Sequence, residues 1–318
     1  MQSPNHFIHQ RKETWQRLEE LLALLDHTRL RRLHREEVRE LGRIYRRTAS
    51  DLAIARAESR DPHLVNYLNN LVIRAHGRIY RAEAQEGTRR LRDFFARGFP
   101  QTFRRTWGFT ATAFAVFTLF ALAGFIGTWH DAEFSELAGI NPLFREMVVN
   151  TRMRWWESLN DANQIGAGVI MTNNIWVMFL AFAFGAMFGI GTLYVMAANG
   201  ASIGAVLALT YRAGFGNDLL TFMVGHGVIE LSCIFLAGGA GLLIGSAILL
   251  PGDLARADAL RTRASDAVQL IAGCVPLLVL AGIIEGFVSP APLGPVIKFT
   301  IAILTGLALY AYLLLAGR

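Results

Sequence analysis

The sequence predicts an all-α, polytopic membrane protein with about six transmembrane segments and an N-terminal cytoplasmic helical bundle. Of the 318 residues, 53% are hydrophobic, and the mean hydropathy is +0.34. A helix needs about 20 apolar residues to cross a hydrocarbon core of roughly 30 Å, and runs of that kind begin only after residue 106. The runs are continuous and do not alternate, which indicates helices and not the strands of a barrel.

Charge follows the same division of the chain. Residues 1–106 carry 22 of the 31 Lys and Arg residues but only 13 of the 25 acidic residues. The positive-inside rule places such a segment in the cytoplasm, so we expect a multi-pass protein of the bacterial inner (cytoplasmic) membrane. A basic chain also raises the question of nucleic acid. Topology and attraction to anionic headgroups explain the charge, so the predicted partners are membrane lipids and not nucleic acid.

The first predicted domain, residues 1–106, is a basic cytoplasmic helical region. Apolar residues recur at helical spacing in three stretches, which predicts a small bundle of helices at 3–25, 33–57 and 62–84. Residues 88–106 interleave arginine with phenylalanine, the pattern of an interfacial helix on anionic lipid. The phenylalanines of that pattern are Phe94, Phe95, Phe99 and Phe103.

The second predicted domain, residues 107–318, is the transmembrane domain. Its predicted spans are 107–128, 175–197, 201–215, 219–250, 267–288 and 293–316. An acidic segment at 130–172 suits the extracytoplasmic face. The stretch 201–215 is short and contains Arg212, so it is interpreted either as a thin span or as a re-entrant helix. We prefer the span, which gives six crossings and places both termini inside. The 219–250 run would be about 48 Å long as a helix, so we expect it to be tilted, or broken near Gly225-His226-Gly227.

Three ionisable residues fall at predicted membrane depth: His226, Glu230 and Glu285. Such residues are costly in a bilayer and are candidate functional groups. His226 and Glu230 are four residues apart and share a helix face, and antiparallel packing would bring Glu285 to the same depth. One interpretation is a proton relay or a divalent-metal site, because His with two carboxylates suits Zn²⁺ or Mn²⁺. The preferred interpretation is a polar cluster that joins helices by hydrogen bonds. No other cofactor is predicted.

Asparagines flank the second predicted span at Asn173, Asn174 and Asn199. Asparagine at a helix end is commonly a cap, and we prefer that role; lining a polar pathway is the alternative. Glycine pairs with small-xxx-small spacing predict close helix packing, within one chain in preference to a homo-oligomer. They are Gly185/Gly189, Gly241/Gly245 and Gly282/Gly286.

These motifs, in order, resemble the stage II sporulation protein M family of bacterial membrane proteins. The matching fragments are Asn173-Asn174, Asn199-Gly200, His226-Gly227 with Glu230-Leu231, Ala237-Gly238-Gly239-Ala240-Gly241 and Ile284-Glu285-Gly286-Phe287. The upstream region is similar to the extension of the family's longer members. Its matching residues are Trp15, Leu41, Tyr45, Arg46, Asp51, Leu52, Leu68, Asn69, His76 and Tyr80.

The resemblance implies a multi-pass inner-membrane protein. The family's namesake anchors a complex with peptidoglycan-degrading enzymes during engulfment, and genes of the longer members tend to neighbour one for a MoxR-type ATPase. We therefore expect a non-catalytic scaffold or anchor for a membrane or cell-envelope complex, with protein partners that include such an ATPase. The alternatives are a transporter or channel that uses the His/Glu/Glu cluster, and a metal-dependent membrane enzyme. The family offers no catalytic residue to transfer, so no catalytic residue is predicted.

Overall fold

Every regular element that the structure describes is a helix, as the sequence predicts. The computed structural model describes four stretches of the chain, residues 4–27, 35–58, 61–157 and 163–318. The chain divides into two compact units, Met1–Asp93 and Phe94–Arg318. The boundary between the units falls inside the segment predicted to be an interfacial helix.

The first unit consists of three helices. They are α1 (Pro4–His27), α2 (Arg35–Glu58) and α3 (Pro62–Asp93). Their apolar faces meet in one core, where Leu18, Leu41 and Leu68 are each at most 1% exposed. Burial of such side chains is the main stabilising contribution in a small bundle. Asp61 starts α3, because its side chain accepts a hydrogen bond from the backbone N–H of His63 at 2.9 Å.

Among the described residues of the first unit, one buried carboxylate, that of Asp51, lies within the apolar core. Asp51 is 1% exposed and accepts a hydrogen bond of 2.9 Å from the indole Nε1 of Trp15. The guanidinium of Arg11 lies 3.7 Å from the same carboxylate. Because a buried charge needs such partners, this contact fixes α1 against α2 in one register.

The second unit contains the membrane helices. They are α4 (Phe99–His130), α5 (Phe134–Leu137), α6 (Pro142–Val149), α7 (Asn163–Ala183), α8 (Ile190–Arg212), α9 (Gly216–Leu249), α10 (Arg256–Phe287) and α11 (Pro295–Leu315). Within the described residues, five helices are long and apolar enough to cross a membrane by length and composition. They are Gly87–His130, Ile190–Arg212, Gly216–Leu249, Arg256–Phe287 and Pro295–Leu315. A shorter apolar helix covers Met171–Ala186.

The direction of α8 settles where the second and third predicted spans divide. Gly200 lies against the carbonyl of Phe117 and Gly204 against that of Ala121, so α4 and α8 run parallel. The chain between two parallel helices has to run back in the opposite direction, and α7 lies in that part of the chain. The predicted break at Asn199-Gly200 is therefore wrong: both residues lie inside α8, and Gly200 lets the helix backbones approach closely. The predicted spans 175–197 and 201–215 are replaced by α7 and α8.

The actual break lies at Phe188 and Gly189, which have φ angles of 56° and 80°. This left-handed conformation ends one helix and allows the next to begin, and it is favoured by glycine. The turn packs on the end of α9, with Gly185 on the backbone of Gly241 and Gly189 beside Gly245. The absence of a side chain at these four positions permits the contact, since a Cβ at Gly185, Gly241 or Gly245 would overlap backbone atoms.

Helix α9 is the centre of the unit. It runs for 34 residues without interruption, about 51 Å at 1.5 Å per residue. The alternative of a break near Gly225-His226-Gly227 is thus excluded, because all three residues are helical. Most of its side chains are buried by neighbouring helices and not by lipid. Helix α10 begins at Arg256, eleven residues before the predicted span 267–288.

The start of α4 differs from the predicted interfacial helix. Phe99 and Phe103, expected to lie on lipid, are 1% and 7% exposed and belong to the core of the second unit. Gly273 of α10 makes room for the Phe99 ring, since a Cβ there would overlap it. At this end of the unit, Tyr312 of α11 donates a hydrogen bond of 2.6 Å to the carbonyl of Phe95. The end of α11 and the start of α4 therefore lie at the same end of the second unit.

Candidate functional site

The three ionisable residues predicted at membrane depth lie on the facing surfaces of α9 and α10. His226, Glu230 and Glu285 are each 3% exposed, and protein atoms provide that burial. Glu285 continues a row of buried residues on α10 that packs on α9, namely Cys274, Leu278 and Ala281. All three side chains therefore point into the protein and away from lipid.

Glu230 is joined to two neighbouring polar groups. The amide Nδ2 of Asn174, on α7, donates a hydrogen bond of 2.6 Å to Glu230 Oε2. His226 Nε2 lies 3.9 Å from the same oxygen, beyond hydrogen-bond length. The carboxyl group of Glu230 thus connects α7 to α9 through a short hydrogen bond with a charged or strongly polar acceptor.

His226 and the end of α10 form a second group of contacts. His226 Nδ1 and Ser289 Oγ are 2.8 Å apart, a hydrogen bond whose donor depends on the histidine tautomer. The amino group of Lys298, on α11, donates to the carbonyl of Ser289 at 2.6 Å. Ser289 and Lys298 are 3% and 8% exposed. We call Asn174, His226, Glu230, Glu285, Ser289 and Lys298 the polar cluster; it links four helices.

Three carboxylate oxygens in the cluster have no hydrogen-bond partner among the described residues. They are both oxygens of Glu285 and Oε1 of Glu230. A Cβ on Gly225 would lie in ordinary van der Waals contact, 3.8 Å from both Ile284 and Ser289. The face of α10 that carries Glu285 therefore lies against this part of α9. An unpartnered buried carboxyl group is uncommon and requires a chemical explanation.

Aromatic side chains cover the cluster on one side. Phe222 meets the His226 ring edge-on at a centroid distance of 5.6 Å, and Trp156 stacks on Phe222 at 6.4 Å. Trp155 and Phe144 continue this chain of rings into the segment between α4 and α7. The predicted extracytoplasmic segment thus packs directly over the histidine end of the cluster.

Within the described parts of the chain, no group of three or more His, Cys, Asp or Glu side chains is arranged to hold a metal ion. The two cysteines are elsewhere on the α9–α10 contact. Cys233 and Cys274 are both fully buried free thiols, and each sulfur lies 3.9 Å from the other residue's carbonyl oxygen.

The asparagines differ from the capping role preferred from the sequence. Asn173 and Asn174 lie ten or so residues inside α7, and Asn199 lies inside α8, where its side chain donates to the carbonyl of Val195 at 2.8 Å. None of the three caps a helix. Asn173 is exposed, whereas Asn174 belongs to the cluster. Gly282 of α10 contacts Met171 of α7, and Gly286 is half-buried on α10.

Two members of the cluster were missed from the sequence, Ser289 and Lys298. The signal for Lys298 was present, since it is an ionisable residue inside a predicted span, as Glu285 is. Ser289 follows the end of its helix, and nothing in the sequence distinguishes it from an ordinary loop residue.

A separate cavity of about 260 Å³ lies where α4 and α8 end together, away from the cluster. Its lining is mainly aromatic: Phe125, Ile126, Trp129, His130 and Tyr211. The guanidinium of Arg212 donates to the carbonyl of Trp129 beside it. Aromatic residues with arginine at a helix end are typical of a membrane–water interface.

Comparison with protein families agrees with the resemblance. Residues 113–290, more than half of the chain, match the family described as Stage II sporulation protein M. The chain belongs to this family. The family region runs from the middle of α4 to the end of α10 and contains every cluster residue except Lys298. Residues 5–81 match a domain of unknown function, DUF8413, which covers most of the three-helix bundle. Neither the curated proteins nor the solved structures include a significant match.

Proposed function

We propose that this protein is a non-catalytic scaffold, a membrane anchor for a cell-envelope complex. The observation that carries the proposal is the closed state of the polar cluster. Its three acidic and imidazole side chains are each 3% exposed, and its hydrogen bonds join α7, α9, the end of α10 and α11. Interhelical hydrogen bonds of this kind hold membrane helices together. An enzyme acting on a polar substrate would need these groups in an open cleft.

The first unit is the partner-binding part in this proposal. It has a core of its own and a surface rich in arginine; on α2, Arg43, Arg46 and Arg47 are all exposed. A charged, exposed helix face suits an acidic protein surface, because complementary charge speeds and orients association. The family resemblance makes a MoxR-type ATPase the first candidate partner, and the positive-inside rule puts the unit in the cytoplasm with it.

The test uses the full-length chain, tagged and purified from membranes of its own host after mild crosslinking. The variant is Arg43→Glu with Arg47→Glu, and the control is Arg256→Glu with Arg261→Glu, an equal charge change on exposed positions at the start of α10. We expect the α2 variant to recover at least tenfold less ATPase, about 1.4 kcal/mol of binding, with membrane levels unchanged. The control should recover as much as the wild type.

Two outcomes count against the proposal. If the wild type recovers no ATPase and migrates alone, the first unit has no partner of this class. If both charge variants lose the partner equally, the effect is one of net charge and not of the α2 surface.

Transport of a small ion is the second candidate, and one observation favours it. The oxygens of Glu285 are unpartnered, whereas a purely structural cluster is expected to satisfy its buried groups. Transporters place such residues near the midplane. Purified protein in liposomes that carries a proton or cation current, lost in a folded Glu285→Gln variant, would favour transport over the scaffold.

A further inference from the structure

Among the described residues of the second unit, Glu285 is the side chain with the most unpartnered buried polar atoms. It is 3% exposed, and neither of its oxygens has a hydrogen-bond partner among the described residues. An ionised carboxylate in this position would lose its hydration without any compensating contact, which is strongly unfavourable inside a membrane protein. A neutral carboxylic acid avoids most of that penalty, because it carries no charge to desolvate.

Among the described residues, no cationic side chain is paired with Glu285. Of the helices that pack on α10, α9 contributes His226 and Glu230, and no described ion pair joins Glu285 to any residue. Lys298 of α11 is a buried cation at this end of α10, and its amino group donates to the carbonyl of Ser289. Helix α7, and α4 between residues 107 and 129, contain no acidic, basic or histidine residue.

Glu230 differs from Glu285 although both are equally buried. It accepts a short hydrogen bond from Asn174 and faces His226 at 3.9 Å. Hydrogen bonds donated to a carboxylate favour its charged form. When two carboxyl groups share a site and only one of them accepts a hydrogen bond, that group is favoured as the anion and the other as the neutral acid.

We propose that Glu285 is a proton-binding site of the membrane unit. Binding adds one proton to a carboxylate oxygen of Glu285, forms an O–H bond, and removes one negative charge from the contact between α9 and α10. Glu230 remains the hydrogen-bonded carboxylate beside it. The proton is taken up from solvent hydronium, which leaves a water molecule, so no other reactant is needed. The inference holds whether the protein acts as a scaffold or a transporter, since it concerns the protonation of one residue.

The direct test is infrared spectroscopy of the purified full-length protein in lipid nanodiscs. A protonated carboxyl group has a C=O stretching band that is separate from the backbone bands and shifts in D₂O. At neutral pH we expect this band in the wild type and in Glu230→Gln, and its loss in Glu285→Gln. A wild-type spectrum without the band, or a band that persists in Glu285→Gln and disappears in Glu230→Gln, would overturn the assignment.

Thermal unfolding distinguishes a proton from a cation at the same place. Glutamine resembles protonated glutamate in shape and charge, so Glu285→Gln should melt within about 2 °C of the wild type, and added Na⁺ or K⁺ should shift neither protein. A bound cation, or an ion pair with Lys298, predicts the opposite. In that case Glu285→Gln melts several degrees lower, or a salt stabilises the wild type alone, and the proton site is refuted.

Discussion

Replacing Asn174 with alanine removes the donor that, among the described residues, forms a hydrogen bond with Glu230. The hydrogen bond is 2.6 Å long, and Glu230 is 3% exposed, so its carboxyl group would be left with both oxygens unpartnered. Leaving a buried polar group without a hydrogen bond costs about 1–3 kcal/mol of folding free energy, and an interhelical hydrogen bond in a membrane contributes up to ~1.7 kcal/mol. We therefore expect Asn174→Ala to lower the free energy of unfolding by about 1–2 kcal/mol, a fall in Tm of roughly 2–6 °C.

The neighbouring residue provides a matched control. Asn173 has the same side chain on the same helix but is exposed, so Asn173→Ala should change the Tm little. The assay is thermal unfolding in detergent of both variants, with Glu230→Ala and Asn174→Ala/Glu230→Ala completing a double-mutant cycle. The cycle should show a coupling of at least ~0.6 kcal/mol. Equal Tm shifts in the two asparagine variants, or strictly additive effects in the cycle, would refute the proposed link between α7 and α9.

Three further predictions concern packing and the first unit. Gly200→Leu should lower the Tm by several degrees, because a Cβ at this position would overlap a backbone carbonyl of α4. Gly108→Leu is the control and should leave the Tm unchanged, since a Cβ added there would meet no atom within 4 Å. Thermal unfolding of both variants compares them. Trp15→Phe keeps an aromatic ring but removes the donor to Asp51, so chemical unfolding of the first unit should show a loss of about 1–3 kcal/mol. Burial raises the pKa of Tyr67, so the free energy of unfolding should fall as the pH rises above about 10, the ordinary tyrosine value. In alkaline unfolding curves, Tyr67→Phe should not show this fall.

Hydrophobic periodicity and run length were sufficient to predict most helices. The stretches 33–57 and 293–316 agree with α2 and α11 within two residues, because each has an uninterrupted apolar pattern and clear ends. The boundary between α7 and α8 could not be read in this way. Phe188 adopts a positive φ that no local sequence pattern predicts. Asn199-Gly200 has the composition of a turn, but Gly200 lies inside α8 and packs against α4.

The candidate site was identified from the energetic cost of ionisable side chains at membrane depth, and not from a sequence motif. His226, Glu230 and Glu285 stood out because ionisable groups are rare at membrane depth, and the structure places His226 and Glu230 3.9 Å apart. Their partners were harder to predict. Asn174 has the residue type of a cap, and its role depends on α7 running alongside α9, a tertiary fact that the local sequence does not contain.

The scaffold proposal requires the polar cluster to be closed to water, and the reactivity of a thiol placed in the cluster measures whether it is. Ser289→Cys places a thiol inside the cluster, and Thr151→Cys places one at an exposed position of the segment between α4 and α7; the native cysteines are fully buried. In liposomes, a charged, membrane-impermeant thiol reagent should modify Thr151→Cys rapidly and leave Ser289→Cys unmodified from either side. Modification of Ser289→Cys at a comparable rate would show an open aqueous path to the cluster and would contradict the scaffold account.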